Sequence, residues 1–110
     1  VALRQALDKL VQAGALPSVP LRCAVAAVSA GLVDGVPLLD LNYEEDARAA
    51  VDFNVVMTAE GELVEVQGTG ESHPFTHETM NELLALAEGG IRQLFDAQKA
   101  ALAAAGIDTA

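Results

Sequence analysis

Cysteine is nearly absent from this 110-residue chain, and the one thiol, Cys23, has no second cysteine with which to form an internal disulfide. Because disulfides are typical of proteins from oxidising compartments, a chain that cannot form one internally is expected in a reducing compartment, the cytoplasm. Long apolar runs are missing as well. The longest uncharged stretch, residues 23–33, falls far short of the roughly 20 residues that a membrane helix needs, so no membrane partner is expected.

Basic residues are scarce: six Lys and Arg stand against 16 Asp and Glu, for a net charge of −10. A protein that binds nucleic acid on its own is normally basic, because its cations displace counterions from phosphates. The charge alone therefore argues against binding of RNA or DNA by this chain. It fits a chain that binds cations or that relies on basic groups of a partner surface. Apolar residues make up 52% of the chain, which indicates one folded domain rather than disorder.

The first quarter of the chain predicts a helix followed by a linker. Leucines recur at spacings of three and four over residues 1–13, and Gly14 is a candidate C-cap. Pro17 and Pro20 cannot lie inside a regular helix or a central strand, so residues 15–22 are expected to join two structural units. Because the chain starts without Met and inside a helix, we interpret it as a fragment, the C-terminal part of a longer protein.

Two hairpins are predicted after the linker. Residues 24–33 are apolar on both alternating sets, which is typical of a central strand covered on both faces. Asp34-Gly35 is a strong hairpin signal, and residues 36–41 form the return strand, placed at an edge by Pro37. A short helix is expected next, over residues 44–51. The second hairpin follows, with a strand at 52–58, a turn at 59–62 and a return strand at 63–67, and then a loop at 68–72.

A long helix closes the pattern. Thr76 is a plausible N-cap, Glu78 complements the helix dipole, and the apolar stripe continues to about residue 105. Gly89-Gly90 interrupts the stripe, which indicates a bend or a second backbone packed closely there. The order of elements predicts an α+β fold, with an antiparallel or mixed sheet built from two hairpins.

Asp46 and Asp52 are the candidate catalytic and metal-binding residues. On one continuous helix, six positions would separate the two side chains by ~120° and ~9 Å, too far to share a metal ion. If the chain instead turns from helix into strand between them, both carboxylates can converge. Such a pair suits Mg²⁺, which takes one or two carboxylates together with waters and phosphate oxygens. The alternative to a metal site is that Asp46 is a solvated helix residue and Asp52 a turn residue, and composition alone favours this alternative.

The remaining polar residues have plainer interpretations. His73 and His77 have an i,i+4 spacing, but the Thr76 cap puts His73 before the helix, so a solvated pair is expected. Glu44 and Glu45 are expected to be solvated or to complement a helix dipole. Three further expectations concern single features: a plain turn at residues 68–70, a half-buried Tyr43 and a buried, unreactive Cys23.

Several segments together resemble the ribonuclease PH family of phosphorolytic exoribonucleases. They are AVAAVSAG (24–31), DLNYEED (40–46), DFNVVMT (52–58), EVQGT (65–69), PFT (74–76), LALAEGGI (84–91) and QKAAL (98–102). The resemblance covers nearly the whole chain and keeps the order and spacing of the motifs. It is therefore far more specific than any single motif.

The resemblance implies an enzyme that trims the 3′ ends of RNA, tRNA precursors in particular, with rRNA as a further processing substrate. Such enzymes use inorganic phosphate as co-substrate instead of water and release nucleoside diphosphates. The family's two site aspartates carry over to Asp46 and Asp52, which would hold a divalent cation, Mg²⁺. Our hypothesis gives metal ligation mainly to Asp46 and the general-acid role to Asp52. The family assembly is a homo-oligomeric ring of six subunits.

This chain also departs from the family pattern. The Gly-Thr-Arg segment that binds phosphate in the family precedes a helix resembling the first one here, and it is absent. We therefore expect residues 1–14 to be the terminal helix of a truncated first domain, 15–22 a linker and 23–110 the second domain. The missing half would supply the basic surface, and the chain alone is expected to be inactive. Two alternatives stay open: a non-catalytic ring subunit, or an acidic cation-binding or assembly module.

Overall fold

An antiparallel sheet with one long helix packed on it organises the chain in the computed structural model, which describes residues 1–109. Within that range the elements are α1 (Ala2–Gln12), β1 (Val25–Val33), β2 (Val36–Leu39), α2 (Tyr43–Arg48), β3 (Val51–Thr58), β4 (Leu63–Gly70) and α3 (His77–Ala104). The four strands lie in the order β2-β1-β3-β4, and each neighbouring pair is antiparallel. The predicted α+β class is confirmed.

The β1–β2 hairpin forms where the sequence predicts it. Asp34 and Gly35 have φ of +52° and +77°, the left-handed pair of conformations that a type I′ turn requires. The return strand β2 lies at the sheet edge, as Pro37 indicated. It ends at Leu39 rather than at residue 41, because Asp40 takes φ +57° and its N–H donates to the Ser29 carbonyl at 2.8 Å.

The core lies between α3 and one face of the sheet. On β3 every second side chain is buried, as the alternation predicted. These side chains form one cluster with buried residues of α3; the strand contributes Val51, Phe53, Val55 and Met57, and the helix contributes Leu83, Ala87 and Ile91. The prediction that β1 is covered on both faces is correct only for the end of the strand: on its second face Gly31 and Val33 are buried, whereas Val25 and Ala27 are exposed. We call this second face the open face; strand register places Ser29, Asp52, Asn54, Val56, Gln67 and Thr69 on it.

The glycine pair in α3 marks the point where β2 packs against the helix. The helix runs without a break from His77 to Ala104. A Cβ added to Gly90 would lie 2.7 Å from Leu39 Cδ2, whereas one added to Gly89 would meet nothing within 4 Å. Close packing was therefore predicted correctly, but a leucine side chain of β2 approaches the helix, not a second backbone.

This asymmetry predicts opposite outcomes for two neighbouring substitutions. Gly89→Ala should raise the free energy of unfolding by about 1 kcal/mol, because alanine removes the conformational entropy cost of glycine in a helix. Gly90→Ala should lose most of that gain, since the added methyl displaces Leu39. Urea unfolding of both variants beside the parent measures the difference. Equal stabilisation by both would contradict the close contact.

Three local expectations are corrected by the structure. Residues 68–70 belong to strand β4 instead of a loop, and Gly68 leaves room for the Phe53 ring, whose Cδ2 would lie 2.8 Å from an added Cβ. Cys23 is exposed rather than buried, and Tyr43 is 88% exposed rather than half-buried. Helix α2 ends at Arg48, three residues earlier than predicted, because Val51 already pairs with β1.

The first helix and the linker lie outside the sheet layer. Helix α1 has no buried residue, and Gly14 follows it with φ +77°, as expected of a C-terminal cap position. Residues 15–22 contain neither helix nor strand. Within residues 1–109, no helix is both long and apolar enough to cross a membrane.

Candidate active site

The acidic segment folds as a capped helical turn. The Asn42 side chain accepts a hydrogen bond from the Glu45 N–H at 2.9 Å, and the Glu45 carboxylate accepts one from the Asn42 N–H at 3.0 Å. This reciprocal capping box satisfies two backbone donors that the first turn would leave free. Glu45 therefore has a structural role at the start of α2. Asp46 follows it on the same short helix and is exposed.

The chain turns between Asp46 and Asp52, the condition under which the sequence allows both carboxylates to meet. Helix α2 ends at Arg48, and Ala49 takes an extended conformation with φ −64° and ψ 126°. The Ala50 N–H donates to the Leu32 carbonyl at 2.8 Å, and the Ala50 carbonyl accepts from Glu71 N–H at 2.8 Å. The turn is therefore hydrogen-bonded to the end of β1 and to the residue after β4.

Asp52 lies near the start of β3 on the open face and is half-buried. Register places it between Gly31 of β1 and Thr69 of β4. Gly31 has no room for a side chain, since an added Cβ would lie 2.7 Å from both Leu41 Cδ1 and the Val51 carbonyl oxygen. The absent side chain lets Leu41 pack on β1, which anchors the segment leading into α2 beside Asp52.

A row of uncharged polar residues crosses the open face next to Asp52. Asn54 lies two positions along β3, and register pairs it with Ser29 on one side and Gln67 on the other. The sequence alternation already puts Asn54 on the same face as Asp52, but sequence reasoning did not single it out. The signal was an asparagine in a strand, where that residue type is depleted, so its presence there needs a reason.

Asp46 and Asp52 are the carboxylates that the sequence nominates for this site. Residues 1–109 contain no group of three or more His, Cys, Asp or Glu side chains able to hold a metal ion. Within the same range Arg92–Glu88 on α3 is the one ion pair, so no cation neutralises Asp46 or Asp52. His73 and His77 are both exposed, as expected of a solvated pair. Carboxylates without a neutralising cation are the kind of donor that Mg²⁺ takes, one or two at a time, together with waters and phosphate oxygens.

Comparison with known proteins identifies the family. Residues 23–90 match the family described as the 3′ exoribonuclease family, domain 2. The chain belongs to the 3′ exoribonuclease family. Both Asp46 and Asp52 lie inside the matched span, and the resemblance inferred from the motifs is confirmed.

A curated relative agrees with the family match. The chain is 59% identical over 102 residues to "Ribonuclease PH" of Corynebacterium efficiens. The aligned region takes in 93% of this chain but 42% of that relative, so the chain spans less than half the length of the relative. This match supports the interpretation of the chain as the second-domain portion of such a protein.

Proposed function

We propose that this chain is the second half of a phosphate-dependent 3′-to-5′ exoribonuclease that trims tRNA precursors in the cytoplasm and releases nucleoside diphosphates. The observation that carries the proposal is the family match over residues 23–90, a span that includes Asp52 on the open face and Asp46 on α2, neither of which forms an ion pair within residues 1–109. A further argument is the 59% identity to a relative whose printed name is Ribonuclease PH.

In the reaction an anionic nucleophile, inorganic phosphate, attacks the phosphorus of the last, anionic phosphodiester of the RNA. The bond from that phosphorus to the 3′-oxygen of the preceding nucleotide breaks, and this oxygen leaves. Bound at Asp46 and Asp52, a divalent cation, Mg²⁺, would offset the charge repulsion and stabilise the departing oxygen. The carboxylates of Asp52, on a hydrogen-bonded strand, and of Asp46, on a capped helical turn, would hold the cation.

The two aspartates are assigned different roles. Asp52 is half-buried on β3, which fixes its backbone on both sides through hydrogen-bonded strands, so we assign it the general acid that protonates the leaving oxygen. Asp46 is exposed on a six-residue helix, where its carboxylate can adjust to the shell of an ion, so we assign it mainly metal ligation.

RNA binding needs positive charge that this chain does not provide. With a net charge of −10, the chain repels a polyanion unless other parts of the protein supply Lys and Arg. The chain spans 42% of its relative, so we place the phosphate-binding and RNA-contacting cations in the rest of that length. We further propose that the complete protein assembles as a ring of six subunits.

The isolated 110-residue chain should accordingly be inactive. Incubated with RNA, Mg²⁺ and inorganic phosphate, it is expected to release no nucleoside diphosphate, because the proposed active site lacks its phosphate-binding cations. Thin-layer chromatography of the products measures this. Diphosphate release by the isolated chain would show that all the necessary groups lie within it.

A second candidate is a non-catalytic ring subunit, or an acidic module that binds cations for assembly. The charge of −10 favours this candidate, whereas the presence of both Asp46 and Asp52 argues against it, because a subunit without catalysis needs no such pair. Titration of Mg²⁺ with and without RNA separates the two. Cation binding that strengthens with RNA supports the enzyme, and binding that is indifferent to RNA supports the module.

Asn54 should affect the same reaction, since its amide lies on the open face one alternate position from Asp52. Asn54→Ala in the natural protein that contains this chain is expected to lower phosphate-dependent activity roughly tenfold, as loss of one polar contact to a charged group would. The matched control is Val56→Ala, two residues further along the same face. Equal activity of both variants would remove Asn54 from the site.

A further inference from the structure

Gly31 of β1 is a buried position on which both ends of α2 converge. A Cβ added there would lie 2.7 Å from Leu41 Cδ1, 2.7 Å from the Val51 carbonyl oxygen and 3.7 Å from Ala49 Cβ. Leu41 directly precedes the N-cap of α2, Ala49 is its C-cap, and Val51 begins β3. The short helix that carries Asp46 is therefore packed, at its start and at its end, against one backbone position of the sheet.

The space that a side chain at residue 31 would take lies on the open face, next to Asp52. Gly31 pairs directly with Asp52, and the side chains of directly opposed residues in an antiparallel pair share one face of the sheet. The side chain of Leu41 fills this space. The segment that leads into α2 is therefore held beside Asp52 by a contact that only glycine at residue 31 allows.

The C-terminal end of α2 is fixed as firmly as its start. Ala49 is 7% exposed, and the Ala50 N–H donates to the carbonyl of Leu32, the next residue of β1, at 2.8 Å. A helix of six residues is far shorter than the roughly 12–15 residues that an isolated helix needs for stability. These end contacts, and not the helix itself, thus decide where Asp46 lies relative to Asp52.

We propose that Gly31 is a positioning residue for a divalent cation held by Asp46 and Asp52. The inference rests on the proposed function, which supplies the cation. A methyl group at residue 31 requires a shift of Leu41 or of the β3 backbone, and either shift moves α2 with its carboxylate. Changes to groups that orient the ligands of a metal ion typically alter its affinity by about 10–100-fold.

Cation binding by Gly31→Ala, in the natural protein that contains this chain, tests the proposal. Mn²⁺ accepts the same oxygen ligands as Mg²⁺, and the electron paramagnetic resonance of the free ion reports its binding without RNA or phosphate. Binding at this site is the part that Asp46→Asn removes, and in Gly31→Ala it should be about tenfold weaker than in the parent. Gly89→Ala is the matched control and should keep the parent affinity, because an added Cβ there meets nothing within 4 Å.

Unchanged Mn²⁺ affinity in Gly31→Ala, or the absence of any binding that Asp46→Asn removes, would overturn the proposal. Circular dichroism checks folding. If Gly31→Ala does not fold, Leu41→Ala takes its place, since it removes the same contact without adding volume and should also weaken binding.

The rate of diphosphate release separates positioning of the cation from general damage to the site. Saturating Mg²⁺ should restore the rate of Gly31→Ala toward that of the parent, because the lost affinity is overcome by concentration. A reduced rate at saturating Mg²⁺ with the parent affinity for Mn²⁺ would contradict the positioning role. A parent that binds Mn²⁺ at Asp46 but releases no diphosphate would contradict the proposed function and leave this inference standing.

Discussion

Replacing Asp52 by Asn should reduce phosphate-dependent release of nucleoside diphosphates by about 100-fold or more, since a positioned general acid contributes at least that factor. The substitution keeps the shape of the side chain but removes its ability to donate the proton and its negative charge. Asp52 lies on β3 between two hydrogen-bonded strands, so the fold should tolerate the change. Initial rates on a labelled RNA, in the natural protein that contains this chain, measure the loss.

Two controls keep this result specific. Asp96→Asn makes the same chemical change at an exposed position of α3 and should leave the rate unchanged. Asp46→Asn should raise the Mg²⁺ concentration needed for half-maximal rate, because its proposed role is ligation. An unchanged rate in Asp52→Asn, or identical Mg²⁺ responses of the two variants, would contradict the division of roles.

Phe53→Ala should lower the free energy of unfolding by about 3–5 kcal/mol, the usual cost of removing a buried aromatic side chain. Phe53 is 1% exposed and belongs to the cluster that joins β3 to α3. Its ring also fills the space above Gly68 on the neighbouring strand, so truncation leaves a cavity that glycine cannot close. Chemical unfolding by urea, followed by circular dichroism, measures the loss.

The matched control for this prediction is Val56→Ala, on the opposite face of the same strand. Val56 is half-buried and faces away from α3, so its truncation should cost much less than that of Phe53. A similar loss in both variants would mean that the open face is as tightly packed as the core. The assignment of faces would then be wrong.

The fold was predictable where a local pattern decides it. Alternation along β3, the Asp34-Gly35 turn and the Thr76 cap each act within a few residues, and each was predicted correctly. Errors arose where a distant contact decides. Strand β4 continues through Gly68 because its backbone pairs with Phe53 on β3, and the ring of Phe53 occupies the space that a side chain at residue 68 would need. No local pattern contains that information.

The candidate site divides in the same way. Helix periodicity sufficed to show that Asp46 and Asp52 need a turn between them, and the structure supplies it after Arg48. The row that includes Asn54 required strand register, which joins three segments separated in sequence. The exposed Cys23 was missed because burial was inferred from residue type, whereas this residue lies between the linker and the start of β1, outside the core.

One measurement tests the central claim most directly: the product that the natural protein containing this chain releases from the 3′ end of RNA, with and without inorganic phosphate. Nucleoside diphosphates are expected to appear when phosphate and Mg²⁺ are present, and no nucleotide is expected to be released without phosphate. Release of nucleoside monophosphates at the same rate in the absence of phosphate would contradict it, because water would then be the nucleophile.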